Sequence, residues 1–241
     1  MYAFTYEAPG TTADAAALAA QGGQYLAGGQ SLLPSMRLRL ARPEQIVDLN
    51  RVQGLAGIAV NGQTVEIRAM TRHADVAANP QVQAAIPALA ELAGGIGDRQ
   101  VRARGTIGGS LANNDPAACY PSAVLGLGAT VVTDRREIAA DDFFQGMYTT
   151  ALGSGELITA VRFPVPKKAA YLKFKQPASR FALVGVFVAQ TDSGVRVAIT
   201  GAGLSVFRHA GLEAALNQSF TPDAAAQVLI DHADLNSDLH A

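Results

Sequence analysis

Two hydrophobic periods alternate along this chain. Thr11 and Thr12 are candidate caps for an alanine-rich helix ending near Gly22–Gly23. A short apolar run, Tyr25 to Ala27, then enters a Gly–Gly turn, and Leu32 to Leu40 has apolar residues at helical spacing, with Pro34 tolerated in the first turn. Ile46 to Leu49 reads as a strand. Ile58-Ala-Val and Val65-Glu-Ile flank Asn61-Gly62, a strong hairpin signal. Ala84 to Leu92 predicts a helix stopped by Gly94–Gly95. Gly97 to Pro121 has little periodicity and reads as loops with a helical turn near Val101. A small helix at Ala123–Leu127 and strands at Thr130–Thr133 and Leu157–Phe163 follow. Beyond Pro164-Val-Pro-Lys-Lys, the best domain boundary, come strands at Tyr171–Phe174, Ala182–Ala189 and Val195–Thr200. Asp192-Ser-Gly-Val joins the last two as a hairpin, and helices at Leu212–Leu216 and Asp223–His232 close the chain. Strands and helices intermix without regular βαβ alternation, which predicts an α+β fold rather than a doubly wound parallel sheet.

Composition narrows the function. The 241 residues are 49% hydrophobic and 16% charged, and 19 Lys+Arg against 20 Asp+Glu leave a net charge of −1, so no whole-chain electrostatic case exists for nucleic acid or an anionic membrane. The uncharged stretch Pro116 to Thr133 is interrupted by Pro121, Gly126 and Gly128 and reads as buried core rather than a membrane span. Cys119 is the single cysteine, which excludes intrachain disulfides and multi-cysteine metal sites; it reads as inert core in a cytoplasmic protein. After Arg208 the remaining charges are acidic (Glu213, Asp223, Asp231, Asp234, Asp238), a solvated face or a docking surface. Walker A, H-E-x-x-H, G-x-S-x-G and complete G-x-G-x-x-G patterns are absent. His73, His209, His232 and His240 are scattered and read as surface or capping residues.

Two segments carry candidate chemistry: Ala27-Gly28-Gly29-Gln30-Ser31-Leu32 and Thr106-Ile107-Gly108-Gly109-Ser110-Leu111. Each sets paired glycines before a serine and a leucine. Successive backbone N–H groups in such a turn make an anion-binding nest, a helix start after Ser31 would add its dipole, and Ser31, Thr106 and Ser110 offer hydroxyls to phosphate oxygens. Either loop alone reads better as a tight turn; the two together read equally as tight turns or as a two-sided grip on a phosphate-bearing cofactor. Arg99, Arg102 and Arg104 raise the local positive potential or line a solvated helix. Asn113-Asn114-Asp115-Pro116 suits a turn, or hydrogen bonds to ribityl or ribose hydroxyls.

AGGQSLLP (27–34), IGDRQVRARGTIGGSLANNDPAACYP (96–121), GELITAVRFP (155–164) and YLKFKQPASRFALVGV (171–186), in that order, resemble the FAD-binding medium subunit of molybdenum hydroxylases, the xanthine dehydrogenase and carbon monoxide dehydrogenase medium-subunit family. The resemblance implies a two-lobed FAD-binding domain of the vanillyl-alcohol-oxidase type over residues 1–164, with lobes near 1–56 and 57–164. A smaller α+β domain with an antiparallel sheet would follow over 168–241, lacking its last helix. It implies noncovalent FAD, with Ala27 to Leu32 and Thr106 to Ser110 at the pyrophosphate, Ile96 and Ile107 near the flavin or its chain, and Asn114 and Asp115 as further contacts. Leu157 or Ile158 would touch the cofactor, Tyr171 would cover the flavin face and Lys175 would lie close to the ring. Many relatives carry Asp where Cys119 stands, and that Asp is a cofactor contact. The implied role is electron transfer from the [2Fe–2S] clusters of a small subunit through FAD to an external acceptor. The molybdenum cofactor would sit in a large subunit, the whole being a dimer of heterotrimers. A self-sufficient flavin oxidoreductase and a cofactor-free assembly module remain alternatives.

Overall fold

The computed structural model describes residues 1–231 and 235–237. The first lobe is built on a small parallel sheet, with Gln45–Asp48 between the edge strands Thr5–Glu7 and Gln24–Leu26. The connection between the edge strands is the helix Thr12–Ala20, capped by Thr11, whose hydroxyl accepts from the Asp14 N–H at 3.1 Å. Ala15 of that helix packs on Val47, Leu49, Val52 and Leu55. The fold class is α+β as the pattern predicts, but nothing in the hydrophobic pattern distinguishes this first sheet as parallel.

The second lobe holds a five-stranded antiparallel sheet. Its order is Ile58–Asn61, Thr64–Arg68, Ile158–Pro164, Thr130–Thr133, Glu137–Ala139. Alternation sets its faces: Val65, Ile67, Val161 and Phe163 are fully buried, while Glu66 pairs with Arg162 on the other side at 2.9 Å. The turn predicted at Asn61-Gly62 is present, with Gly62 at φ +58°.

A four-stranded antiparallel sheet follows, in the order Lys168–Lys175, Ala182–Thr191, Gly194–Thr200, Phe207–Arg208. The helix Tyr120–Leu127 lies between the two sheets, and every one of its residues is buried. Phe187, Ala189 and Ala198 of the last sheet therefore belong to the same core as Val65, Ile67 and Phe163. The approach is close: a Cβ on Gly126 would lie 2.9 Å from Phe187 Cδ1. Arg196 closes the helix by donating to the Leu125 carbonyl at 3.0 and 2.8 Å. This uncharged stretch is core, as read from sequence, and no described helix is long and apolar enough to cross a membrane.

Four local expectations need correction. The helix expected over Ala84–Leu92 is two helices, Pro80–Ala85 and Pro87–Gly94, because Ile86 precedes proline and takes φ −139°, ψ 73°. The glycine-rich stretch expected as loops contains two helices, Arg99–Arg104 and Ile107–Asn113. Asp98 caps the first by accepting from the Val101 N–H at 2.8 Å, and Thr106 caps the second by accepting from the Gly109 N–H at 3.2 Å. His73 is neither surface nor cap: it is 5% exposed and its ring lies 5.3 Å from that of Tyr120. His209 does cap, accepting from the Leu212 N–H. The last helix is Pro222–Ala226, shorter than expected, and His232, Asp234, Asp238 and His240 lie outside the described residues.

Candidate functional site

The two glycine segments meet. A Cβ on Gly28 would lie 2.2 Å from the Arg104 carbonyl oxygen and 2.8 Å from Gly105 Cα, and one on Gly109 would lie 3.4 Å from Ala27 Cβ. Residues 80 apart in sequence thus form one surface, and only glycine permits the contact at position 28. Beside Gly105 sits His73, whose backbone N–H donates to the Gly105 carbonyl at 3.0 Å, and beside the His73 ring sits that of Tyr120. Burial, helped by the Arg102 charge, pushes the His73 pKa down to about 4, so the ring is neutral at neutral pH.

The two segments differ in what they offer. In the first, the backbone N–H groups of Gly28, Gly29, Gln30, Ser31 and Leu32 make no hydrogen bond among the described residues. Gly29 takes φ +74°. Successive free amides are what an anion-binding nest requires. The helix after Ser31 spans only Leu32–Arg37, so its dipole adds little. In the second segment the amides are already used. The Ile107 N–H donates to the Thr71 carbonyl at 3.1 Å, Gly108 to the Ala69 carbonyl at 2.8 Å, and Gly109 to the Thr106 hydroxyl oxygen. In the Thr106 to Ser110 segment the amides of Ile107, Gly108 and Gly109 are thus held within the fold, and the Ser110 N–H donates to the Thr106 carbonyl at 3.0 Å. Gly108 serves packing: its Cβ would lie 2.6 Å from Ala69 Cβ and 2.9 Å from the Ala69 carbonyl. Gly108→Ala should accordingly cost about 2 kcal/mol by overpacking, read as a lowered Tm.

The anchors of the first loop were not singled out from sequence. Asn50 Nδ2 donates to the Ala27 carbonyl at 3.3 Å, and Asp48 holds Asn50 through the Asn50 N–H at 2.9 Å. Burial pushes the Asp48 pKa up, but hydrogen bonds from Tyr6 and Asn50 and the charge of Arg104 outweigh it, and the net shift is downward. An acid two residues before an Asn in a strand-to-turn junction was the available signal. Of the three arginines, Arg102 is structural, donating to the carbonyls of Ile96 and Gly97 at 2.9 and 3.0 Å. Arg99 and Arg104 are exposed.

A second group assembles around Cys119. Lys173 Nζ donates to the Gly95 carbonyl at 2.8 Å and lies 3.3 Å from Cys119 Sγ, which places Ile96 beside the pair. The Tyr171 hydroxyl lies by the same thiol; burial first, then Cys119, raises its pKa. Its ring centroid is 6.2 Å from that of Phe187. Alternation turns Tyr171 and Lys173 inward together, and the register shift between Phe174 and Lys175 takes Lys175 out of that row, leaving it exposed. Lys173 is therefore the lysine of this strand that reaches the interior.

Asn114 and Asp115 lie next to a cavity of about 240 Å³ lined by Asp115, Pro116, Tyr148, Phe181 and Gly201. Asn114 is 1% exposed, in the left-handed region at φ +41°, and its amide donates to the carbonyls of Gly146 and Thr149 at 2.8 Å each. Its Oδ1 is buried with no partner among the described residues. Leu157 and Ile158 are not brought to these groups by their side chains. Leu157, just before the strand, packs in the first lobe's core, and Ile158, its first residue, in the large core.

Residues 2–166 match the family described as the FAD binding domain in molybdopterin dehydrogenase. The chain belongs to this family. The carbon monoxide dehydrogenase medium chain of Hydrogenophaga pseudoflava is 40% identical over 237 residues, covering 92% of this chain and 83% of that one. The nicotine 6-hydroxylase medium subunit of Paenarthrobacter nicotinovorans is 35% identical, covering 99% and 90%. Among solved structures, carbon monoxide dehydrogenase from Hydrogenophaga pseudoflava superposes with a TM-score of 0.87 at 39% identity, covering 92% of this chain and 83% of that one. Quinoline 2-oxidoreductase from Pseudomonas putida 86 gives 0.88 at 27% identity, covering 99% and 90%. The residues of this medium-chain relative suit FAD: free amides for a diphosphate at Gly28 to Leu32, and a buried acceptor, Asn114 Oδ1, without a donor.

Proposed function

We propose that this chain is the FAD-carrying electron-transfer subunit of a molybdenum hydroxylase complex. In this reading FAD takes electrons from [2Fe–2S] clusters of a small partner subunit and releases them to an external acceptor. The molybdenum cofactor belongs to a large partner subunit, the assembly is a dimer of heterotrimers, and the setting is cytoplasmic. The observation that carries the reading is the run of free amides from Gly28 to Leu32, held in place by Asn50 and by the contact of Gly28 with Arg104–Gly105.

Bound FAD supplies the redox chemistry, which fits a chain in which no group of three or more metal-ligating side chains occurs among the described residues. The chain's own work is to hold and orient. The Gly28–Leu32 amides bind the diphosphate, with Ser31 and Ser110 as hydroxyl donors. Thr106 is 3% exposed and its oxygen already accepts from Gly109, so its part is to fix the loop. Asn114 accepts from a ligand donor, and Ile96 and Ile107 supply apolar walls. Tyr171 and Lys173 close the side near Cys119, with Lys175 left for outer contacts.

Purifying the complex through a tag on this chain tests the reading. The expected result is noncovalent flavin equimolar with the chain, together with molybdenum and iron in the partner subunits. A folded chain that holds no flavin and takes none up overturns it in favour of an assembly module. Turnover of an organic substrate by the isolated chain overturns it in favour of a self-sufficient oxidoreductase. Cys119→Asp adds a finer check: the introduced carboxylate should tighten FAD binding about tenfold, or ~1.4 kcal/mol, by titration of the flavin-free chain. Unchanged affinity would place position 119 outside the cofactor's reach.

A further inference from the structure

The helix that starts at the free-amide loop ends in an unusual cap. Leu32–Arg37 closes with the Leu40 N–H donating to the Ser35 carbonyl at 2.9 Å and the Arg39 N–H to the Met36 carbonyl at 3.1 Å. That pattern puts the residue just after the cap, Arg39, in the left-handed region at φ +62°, where glycine is the unstrained choice. The arginine is stacked instead: Arg39 Cζ lies 5.6 Å and Arg42 Cζ 4.9 Å from the Tyr2 ring centroid. Leu38 and Leu40, between these cations, are 71% and 79% exposed.

The charge of this patch is uncompensated. No Asp or Glu occurs between Ala27 and Pro43, and Arg37, Arg39 and Arg42 make no ion pair among the described residues. Some arginines elsewhere sit in such pairs, as Arg136 does with Glu156 and Arg208 with Glu213, and others, such as Arg51 and Arg72, do not; here three unpaired arginines cluster within six residues. A strained arginine, held in place by an aromatic ring and ringed by exposed leucines, is a surface arranged for a partner rather than for the stability of this chain. Its charge names the partner's chemistry.

We propose that Tyr2, Leu38, Arg39, Leu40 and Arg42, with Arg37, form the docking surface for an acidic, apolar-centred face of a partner subunit. The inference rests on the reading that this chain works inside a multi-subunit complex. It adds where one partner sits: at the far end of the short helix whose near end carries the diphosphate loop. Buried Met36 anchors the helix between the two ends, so the diphosphate loop keeps its shape whether or not the partner is docked.

The test uses the complex purified through this chain, with molybdenum and iron per chain reporting partners and flavin per chain reporting the cofactor. Arg39→Gly should raise the Tm of the isolated chain by relieving the backbone, yet weaken partner binding about tenfold. Arg37→Glu with Arg42→Glu should lose the metal-bearing partner at salt concentrations the wild type withstands, with flavin per chain unchanged. Leu38→Ser with Leu40→Ser, both solvent-exposed positions, gives the same loss without a change of charge. Unaltered metal content and salt tolerance in all three variants overturns the proposal. So does binding of the wild-type patch to phosphatidylcholine–phosphatidylglycerol vesicles or duplex DNA, if the charge reversal abolishes that binding and leaves the complex intact. A chain that carries no flavin but loses its metal-bearing partner in these variants would sink the flavin reading and leave the docking surface standing.

Discussion

Gly28→Val is expected to yield a chain without FAD and with a Tm lower by roughly 6–12 °C. The size follows from what blocks the side chain. The atoms within 2.8 Å of a Cβ at position 28 are the carbonyl group of Arg104 and Cα of Gly105, all backbone, so no rotamer change relieves the clash. Overpacking of this kind costs about 3 kcal/mol, and in a chain of this length each kcal/mol shifts Tm by roughly 2–4 °C. The loop must back away from residues 104–105, and the amide nest loses the surface that shapes it. The clash arises at Cβ, so Gly28→Ala should do most of the same damage. This separates the packing role from a simpler one in which valine merely fills phosphate space and alanine is tolerated. Gly29→Ala is the useful contrast. Its Cβ meets the movable Leu33 side chain, and the cost is that of a left-handed residue, about 1–2 kcal/mol. Flavin content by absorbance and Tm by calorimetry report both effects; full FAD occupancy in Gly28→Val would remove this loop from the diphosphate site.

The contrast between the two glycine loops also marks what a sequence can and cannot reveal. Their similar lettering suggested similar chemistry, and the similarity is real as far as local turn-forming capacity goes. Which amides stay free is decided by tertiary partners: Thr71 and Ala69 take those of Ile107 and Gly108, while nothing described reaches Gly28 to Leu32. The same limit hid the helix Ile107–Asn113. Two glycines argue against a helix by propensity, but Ile107 and Leu111, four apart and fully buried, fix it against the sheet, and Gly108 is the small residue that lets it approach Ala69. The resemblance implies Lys175 near the ring, and strict alternation puts Lys173 and Lys175 on one face; one irregular register step separates them and leaves Lys175 exposed. Where local chemistry dictates geometry, the sequence was enough. The Asn61-Gly62 hairpin, the Thr11 cap, the strand Thr130–Thr133 and the hairpin into Gly194–Thr200 follow from turn residues and period alone.

Glu156→Gln should destabilise the second lobe by about 2–4 kcal/mol at pH 7, because it breaks an ion pair whose carboxylate is buried and is also a hydrogen-bond hub. Oε1 accepts from Thr133 at 2.8 Å and Arg136 Nε at 3.0 Å, and Oε2 from the Gly153 N–H at 2.7 Å and Arg136 Nη2 at 3.1 Å. These bonds tie the turn after Thr133 to the residues just before the central strand Ile158–Pro164. The Arg136 bond, opposed by burial and joined by Gly153 and Thr133, brings the Glu156 pKa down to about 2 from 4.5. The sign follows directly. The unfolded carboxylate binds its proton first, so the contribution is complete above about pH 4.5 and is lost as pH falls towards 2, roughly 2 kcal/mol after allowance for the half-exposed arginine. His73 acts in a different window. Its folded pKa near 4 lies below the ordinary 6.5, so stability falls between about pH 6.5 and 4 as the unfolded imidazole takes up a proton. The wild type should therefore lose Tm in two acid steps, and Glu156→Gln should keep the upper step and lack the lower one. The gap between the two proteins then narrows below pH 4.5; Tm curves that stay parallel from pH 7 to pH 3 would mean that Glu156 does not carry its charge into this network.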